Sequence, residues 1–405
     1  MKIGYVVVRY GPEIVGGAEQ ACRMLGERMA LEPGCSVEVF TTTASDAVTW
    51  ADHYPPGSTT ISNVVVHRFN SERGRDPHFD AFSGKVLADP THATPQEAQR
   101  WVDLQGPVCP AAVNAAMASD ADVVITTPYL FWPTVRGVTR LAADGRCVVM
   151  HPAAHDEAPI RLPLFADVFE SARGLVWYTD GERRMAQTLF PGVAASPQMV
   201  LGLGVEPSQG DPSMFRSLAG LDDRPYLLCL GRVDDGKGAL VLARFFAAYK
   251  RRRPGPLTLV FAGPVVNQPP DHPDIRVVGP LDEHAKWAAL RGAEILVSPS
   301  PNESFSLVVL EAWAAGVPVI VNARCPATVE HTRRSEGGLA FGGYASFEAI
   351  VDLLHADVGL RRHLAANGSR YVQENFRWPV LTARYRRFLE RLAEAHRRGR
   401  QATIH

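Results

Sequence analysis

Residues 298–322 read SPSPNESFSLVVLEAWAAGVPVIVN, and this stretch decides the fold class. It begins at the end of an apolar strand, continues through a polar turn and a helix, and ends in a second apolar strand, Val317 to Val321. Short apolar strands joined by helices are typical of a parallel sheet with helices on both faces. The order strand, helix, strand therefore predicts an α/β fold.

Two carboxylates stand in this stretch, Glu303 and Glu311, with seven residues between them. Glu303 precedes the helix, where backbone N–H groups without helical partners attract anions, and Glu311 lies inside the helix. A site that holds phosphates and sugar hydroxyls together needs such amides and carboxylates. A helix-start acid at Glu303 and a solvated helix residue at Glu311 are the simpler interpretation. Spacing alone leaves both interpretations open.

The rest of the chain repeats the alternation of strand and helix in two series, which predicts two doubly wound domains. In the first half, strands are expected at 3–8, 37–41, 64–68, 123–126, 147–150 and 175–178. In the second half, they are expected at 226–230, 257–262, 275–278, 295–298 and 317–321. Residues 200–224 between them are rich in Gly and Pro, which is typical of a hinge. Ligands of such sheets bind at the carboxyl ends of the strands, so we expect the site in a cleft between the domains.

Composition excludes several classes of protein. The 405 residues are 46% hydrophobic and 21% charged, with a formal net charge of −1, so no nucleic-acid partner is expected. The six cysteines form no CxxC pair, and they fit free thiols in a reducing compartment. Met1 leads directly into the apolar stretch KIGYVVV, and no apolar run reaches membrane-spanning length. We therefore expect a cytoplasmic protein.

Two Gly-containing loops follow the first strands of the two halves. Gly16 and Gly17 precede a predicted helix, where glycines let the backbone approach a ligand closely. Arg232 and Lys237 lie five residues apart after the strand 226–230, and two cations at a strand end suit a diphosphate without a metal. A tight turn and two surface cations are the simpler interpretations of these loops.

A third cluster, His151 to Glu157, follows the predicted strand 147–150. Two histidines and two acids so close together suit a general base, but their spacing matches no standard zinc pattern, so no metal site is predicted. His155 is the first candidate for a site histidine and His151 the second, and a structural role is the alternative for either. The DxD sequence at 120–122 precedes a strand, and we interpret it as a solvated turn.

The stretch around Glu303 and Glu311 resembles the Glu-x7-Glu motif of retaining glycosyltransferases of the GT-B fold, family 4, also called glycosyl transferases group 1. The resemblance implies that Glu303 contacts hydroxyls of a donor sugar and that Glu311 contacts the ribose of its nucleotide. It also implies that the backbone of Phe305, Ser306 and Leu307 caps the diphosphate. The family usually has Gly where this chain has Ser306, which puts the donor preference in question.

The resemblance extends to the other loops. It implies that Arg232 and Lys237 neutralise the diphosphate and stabilise the leaving nucleotide, and that His155 contacts the donor sugar. The segment 278–281 resembles the one that holds the nucleotide base. The remaining donor-site residues implied in this way are Gly16, Gly17, Gly279 and Leu281.

By this resemblance the chain is expected to move a sugar from a nucleotide-diphosphate sugar to an acceptor hydroxyl or amine, with retention and without a divalent metal or other cofactor. UDP is the favoured nucleotide and GDP the alternative. The acceptor is a small molecule or a glycan, and frequent Ala, Arg and Pro favour a bacterial natural-product or glycoconjugate pathway. A nucleotide-sugar epimerase of the same fold and a non-catalytic nucleotide-sugar-binding protein are the two competing hypotheses.

The expected domains are 1–200, an acceptor-side Rossmann-like domain, and 201–379, a Rossmann-like domain that binds the donor. A helix at 380–398 is expected to pack back on the first domain, and because it is basic and amphipathic, association with an anionic membrane is the less favoured alternative. Residues 70–106 show little apolar periodicity. We expect them to form a long loop, either a lid on the acceptor side or a disordered segment.

Overall fold

The computed structural model describes residues 1–14 and 17–404, with side chains as far as residue 401. The chain falls into two compact units. One comprises Met1–Gly202 together with Leu381–His405, and the other comprises Leu203–Val380. Each unit has a sheet of its own, covered by helices.

The first unit is built on one sheet. Its strands are β1 (Lys2–Val7), β2 (Ser36–Thr42), β3 (Gly57–Ile61), β4 (Val64–Phe69), β5 (Val123–Thr127), β6 (Val148–Met150), β7 (Gly174–Trp177) and β8 (Gln198–Val200). Their order in the sheet is β3-β4-β2-β1-β5-β6-β7-β8, and every neighbouring pair is parallel except β3 with β4. Strands β5, β6 and β7 are buried along their whole length because helices cover both faces of the sheet.

The helices of the first unit connect these strands. They are α1 (Gly17–Ala30), α2 (Phe79–Leu87), α3 (Pro95–Gln105), α4 (Pro110–Ala118), α5 (Trp132–Ala143), α6 (Leu164–Ser171) and α7 (Asp180–Leu189), with short 3-10 helices at Pro90–His92, Ala158–Arg161 and Pro191–Ala195.

The expectation of a long loop at residues 70–106 was wrong, because α2 and α3 occupy most of this segment. Thr94 caps α3: its hydroxyl accepts from the Glu97 N–H, and the Glu97 carboxylate accepts from the Thr94 N–H at 3.0 Å. Trp101 of α3 is 2% exposed and packs in the core. The buried face of α3, which includes Ala98, Trp101 and Val102, has helical spacing, but it holds too few apolar residues to stand out among the polar ones of this segment.

The second unit confirms the expected doubly wound arrangement. Its strands are β9 (Tyr226–Leu230), β10 (Thr258–Ala262), β11 (Ile275–Val277), β12 (Ile295–Ser298), β13 (Val319–Asn322) and β14 (Gly338–Phe341). Its helices are α8 (Pro212–Ala219), α9 (Ala239–Arg252), α10 (Glu283–Gly292), α11 (Leu307–Ala314), α12 (Pro326–Ser335), α13 (Tyr344–Ala356) and α14 (Val358–Asn375). The sheet is parallel, with the order β11-β10-β9-β12-β13-β14.

This strand order reverses between β9 and β12. In open α/β sheets, ligands bind outside the carboxyl ends of the two strands at which the order reverses. The loops after β9 and β12 are therefore where the topology predicts a ligand in the second unit. The same rule selects the loops after β1 and β5 in the first unit.

The last helix, α15 (Trp378–Ile404), contributes its residues from Leu381 onward to the first unit. Its apolar side chains Tyr385, Phe388, Leu389 and Leu392 are at most 4% exposed. Gly174 of β7 packs closely against this helix, since a Cβ there would lie 2.6 Å from a methyl carbon of Leu392. In the described part of the chain, no helix combines the length and the apolarity needed to cross a bilayer.

Candidate functional site

Three glycines let the loops after β9, β10 and β11 pass close to one another. Gly231, Gly263 and Gly279 have φ values of 132°, 141° and 75°, which disfavour any residue with a Cβ. The Gly231 N–H donates to Ala262 O, and the Gly263 N–H donates to Gly279 O, both at 2.8 Å. A Cβ on Gly263 would lie 2.1 Å from Gly231 O, so backbone meets backbone at this edge of the sheet.

Asp234 orders the loop after β9. Its carboxylate accepts a hydrogen bond from Arg232 Nε, and its Oδ1 accepts one from the backbone N–H of Lys237 at 2.6 Å. The Asp234 side chain is 9% exposed, whereas that of Arg232 is 58% exposed. The buried acid therefore fixes the loop, while most of the Arg232 guanidinium remains accessible to an anion.

Lys237 and Glu303 join the loops after β9 and β12. Lys237 Nζ lies 2.7 Å from Glu303 Oε1, and the two side chains are 37% and 20% exposed. An ion pair this accessible contributes about 1 kcal/mol or less in water. A ligand that offers a phosphate to the lysine and hydroxyls to the carboxylate can therefore replace it at little cost.

Helix α11 begins directly after this pair. Phe305, 3% exposed, packs its ring against His331 and Phe376 with centroid distances of 5.0 and 5.7 Å. Ser306 is the N-cap residue and has φ 67° and ψ 70°. A left-handed conformation is costly for serine and natural for glycine, which gives a physical reason for the Gly of the resembled family. Leu307 is the first helical residue.

Glu311 is buried, so its interpretation as a solvated helix residue was wrong. It is 8% exposed, and its Oε1 accepts a hydrogen bond from Lys286 Nζ of α10 at 2.7 Å. Burial raises the pKa of the Glu311 carboxyl, and the charge of Lys286 offsets part of this effect. Sequence reasoning missed Lys286, because nothing in the local pattern of α10 indicates a partner on α11.

The candidate histidines of the first unit have different environments. His151 is 1% exposed, with Nε2 2.9 Å from Tyr385 Oη, and burial lowers its pKa to about 3. These buried contacts favour the structural role that is the alternative for either histidine. His155 has a 35% exposed side chain, with Nε2 3.4 Å from Glu157 Oε2. His155 stays the first candidate for a contact with a ligand.

The Gly16-Gly17 loop is described only in part, since Gly16 lies outside the described residues. Gly17 begins α1, and a Cβ placed on it would meet no atom within 4 Å. Glu19 is 6% exposed and accepts from Arg9 Nη2 at 2.6 Å. Arg9, two residues after β1, is a residue that sequence reasoning missed, and its pairing with Glu19 fixes the start of α1.

The DxD sequence lies in the turn between α4 and β5, as expected. Asp122 accepts from the Lys2 N–H at 2.8 Å and from Arg397 Nη1 at 3.0 Å, and Asp120 pairs with Lys2 Nζ. Among the described residues, no group of three or more His, Cys, Asp or Glu side chains has the arrangement of a metal site.

Part of the chain resembles known proteins in sequence. Residues 224–356 match the family model Glycosyl transferases group 1. The D-inositol 3-phosphate glycosyltransferase of Salinispora arenicola is 30% identical over 239 residues, which are 53% of this chain and 51% of that protein. The GDP-mannose-dependent alpha-(1-6)-phosphatidylinositol monomannoside mannosyltransferase of Mycobacterium tuberculosis is 26% identical over 316 residues, 71% of this chain and 74% of that protein. The chain thus spans only about half the length of the first of these relatives.

Solved structures match nearly the whole chain. Sucrose-phosphate synthase from Thermosynechococcus elongatus superposes with a TM-score of 0.72 at 19% identity, covering 97% of this chain and 99% of that one. Anabaena HepE in complex with UDP and glucose superposes with a TM-score of 0.64 at 15% identity, covering 96% and 99%.

The fold is therefore that of the GT-B glycosyltransferases, as the sequence predicted. Residues 224–356 of the second unit, which match the Glycosyl transferases group 1 model, contain Arg232, Lys237, Lys286, Glu303 and Glu311. The curated relatives that the chain matches here are named glycosyltransferases.

Proposed function

We propose that the protein is a glycosyltransferase that moves a sugar from a nucleotide-diphosphate sugar to an acceptor hydroxyl or amine, with retention of anomeric configuration. The observation that carries the proposal is the 2.7 Å contact between Lys237 Nζ and Glu303 Oε1 at the point where the strand order reverses. It places a cation for phosphate and a carboxylate for sugar hydroxyls side by side. The family match over residues 224–356 supports the same conclusion.

In the proposed complex, residues of the second unit bind the diphosphate, the sugar and the ribose of the donor. Arg232 and Lys237 bind the diphosphate, together with the N–H groups at the start of α11. Glu303 accepts hydrogen bonds from the donor sugar, and Glu311 accepts them from the ribose. The two cations supply positive charge that other transferases take from a divalent metal, so we propose a metal-independent reaction.

The nucleotide is proposed to be UDP, with GDP as the alternative. The complex of Anabaena HepE with UDP and glucose favours UDP, whereas the name of the mycobacterial relative favours GDP. Gly279, with its φ of 75°, and the half-buried Leu281 belong to the segment proposed to contact the base. Backbone contacts of that kind suit uracil.

The reaction needs no general base from the protein. The bond between the anomeric carbon and the phosphate oxygen breaks, and a bond from that carbon to the acceptor oxygen or nitrogen forms on the same face. The acceptor proton passes to the leaving phosphate oxygen. Arg232, Lys237 and the start of α11 stabilise the charge that develops on that phosphate. The acceptor, a small molecule or a glycan, is assigned to the first unit, where His155 lies.

A thermal-shift screen tests the proposal. UDP, GDP, ADP and their common sugar conjugates are added to the wild type, with and without EDTA, because a ligand of the folded state raises the melting temperature by mass action. We expect a shift with UDP or GDP and its conjugates that EDTA does not change. No shift with any nucleotide would overturn the proposal, and a shift abolished by EDTA would overturn its metal independence.

Incubation with the donor alone separates the proposal from the epimerase hypothesis. A transferase without its acceptor gives at most slow hydrolysis of the nucleotide sugar, whereas an epimerase converts it to a second nucleotide sugar. Chromatography of the nucleotide sugars after incubation distinguishes the two, and accumulation of an epimer would contradict the proposal.

A further inference from the structure

Lys286 lies between two carboxylates in the second unit. Its Nζ is 2.7 Å from Glu311 Oε1 on the neighbouring helix α11 and 2.7 Å from Glu283 Oε1 at the start of its own helix α10. The Lys286 and Glu311 side chains are 17% and 11% exposed, whereas that of Glu283 is 70% exposed. The lysine is thus held from the solvent side by one acid while it holds the buried acid in place.

We propose that Lys286 is a positioning residue for ribose recognition. By binding Oε1 of Glu311, it fixes the carboxylate so that Oε2 is presented to the ribose hydroxyls of the donor nucleotide. The inference rests on the proposed function, because it takes from there the contact between Glu311 and ribose. The fixed carboxylate makes the site selective for ribonucleotides over nucleotides that lack the sugar hydroxyls.

The charges in this cluster explain why Glu311 needs a partner. A buried carboxylate without a cation beside it takes up a proton, and a protonated carboxyl uses one oxygen as a donor. Burial by itself lowers the pKa of Lys286, but the Glu311 and Glu283 carboxylates outweigh burial and raise it. Lys286 therefore stays charged at neutral pH, and Glu311 keeps the free acceptor oxygen that a ribose hydroxyl requires.

Comparing the affinities of two nucleotides distinguishes this positioning role from that of a merely structural ion pair. A structural pair between α10 and α11 affects all nucleotides alike when it is broken. A positioning role affects only those nucleotides whose ribose carries hydroxyls. The probes are therefore the diphosphate that binds the wild type, UDP or GDP, and its 2′,3′-dideoxy counterpart.

The variant is Lys286→Met, which keeps most of the side-chain length and removes the charge. By calorimetry at neutral pH, we expect the affinity for the ribonucleotide to fall about tenfold, in keeping with the loss of a hydrogen bond to a charged group. The affinity for the dideoxynucleotide should change less than twofold. Equal losses for the two ligands, or unchanged discrimination, would overturn the inference.

Two further variants keep the test decisive if Lys286→Met folds poorly. Lys286→Arg retains the charge and should restore most of the discrimination, and Glu311→Gln should abolish it. In the Lys286→Met/Glu311→Gln double variant, the losses should not add, because both substitutions act on one contact. Additive losses would contradict the inference. If the wild type binds neither probe, the proposed function fails, whereas binding without the Lys286 effect removes only this inference.

Discussion

Lys237 Nζ lies 2.7 Å from Glu303 Oε1, although the two residues are 66 positions apart in the chain. Lys237 follows β9 and Glu303 follows β12, the two strands at which the order of the second sheet reverses. Asp234 fixes the loop on one side of the pair by accepting the Lys237 N–H at 2.6 Å. On the other side, α11 begins only a few residues after Glu303.

We predict that Lys237→Ala and Glu303→Ala each lower turnover by about two orders of magnitude, as expected when a contact made in the transition state is lost. The assay follows release of the nucleotide from its sugar conjugate, with an acceptor that supports wild-type turnover. Arg253→Ala is the matched control, because Arg253 is half-exposed and pairs with Asp352 of α13. It directly follows the C-terminal end of α9, whereas Lys237 lies just before the N-terminal end of that helix. Near-normal turnover in either folded site variant would contradict the assignment.

Ser306 is predicted to strain the start of α11. Its φ of 67° costs a residue with a Cβ about 1 kcal/mol or more, and glycine removes this cost while adding a smaller one through the unfolded chain. We therefore expect Ser306→Gly to raise the free energy of unfolding by about 0.5 kcal/mol in urea titrations.

Ser304→Gly is the matched control for this prediction. Ser304 lies in the same turn, but its backbone is outside the left-handed region, so only the entropic cost of glycine applies. This control should be destabilised by about 0.5 kcal/mol or more. Equal destabilisation of the Ser304 and Ser306 variants would show that Ser306 carries no strain.

Glu182 is predicted to make the stability of the first unit depend on pH. Its carboxylate accepts the N–H groups of Ala154 and Tyr178, each at 2.7 Å, and burial raises its pKa from 4.5 to about 8. The folded state therefore holds a proton that the unfolded state releases. The stabilisation that this proton gives the folded state is complete below about pH 4.5, and it is lost as pH rises through about 8.

Melting temperatures between pH 6.5 and 9 check this prediction. The wild type should lose stability across this range, by an amount on the order of a few kcal/mol at most. Glu182→Gln, which cannot release a proton, should show a flatter dependence. A wild type and a variant with parallel profiles would rule out titration of Glu182 as the cause.

The two histidines of the loop after β6 are predicted to respond differently to substitution. His151→Ala removes a buried ring and its contact with Tyr385, so we expect a loss of about 2 kcal/mol or more in unfolding experiments. His155→Ala should leave stability within about 0.5 kcal/mol and lower turnover about tenfold or more. The reverse pattern would assign the ligand contact to His151.

Much of the fold follows from local patterns in the sequence. The stretch around Glu303 and Glu311 shows its strand, turn, helix and strand directly, since β12 and β13 are short apolar runs and α11 lies between them. Local periodicity is enough for such elements because burial on both faces of a parallel sheet selects apolar residues.

Other elements left no such pattern. Strand β3 is largely exposed and pairs antiparallel with β4 at the edge of its sheet, so no apolar run marks it. The contact of Lys286 with Glu311 spans 25 residues and depends on how α10 and α11 pack, which single-sequence periodicity does not encode. The contact of Arg9 with Glu19 likewise depends on how the chain packs after β1, which single-sequence periodicity does not encode. The Thr94-Glu97 capping box was a usable signal for α3.

The most direct test of the central claim is a calorimetric titration of UDP, UDP-glucose and the corresponding guanosine ligands into the protein in EDTA. We predict saturable binding of one nucleotide series to the wild type and to Arg253→Ala. In Lys237→Ala we expect affinity at least tenfold lower, because a charge-assisted contact to the diphosphate is lost. Absence of binding to the wild type, or equal affinity in Lys237→Ala, would contradict the claim that the loops after β9 and β12 hold a nucleotide diphosphate.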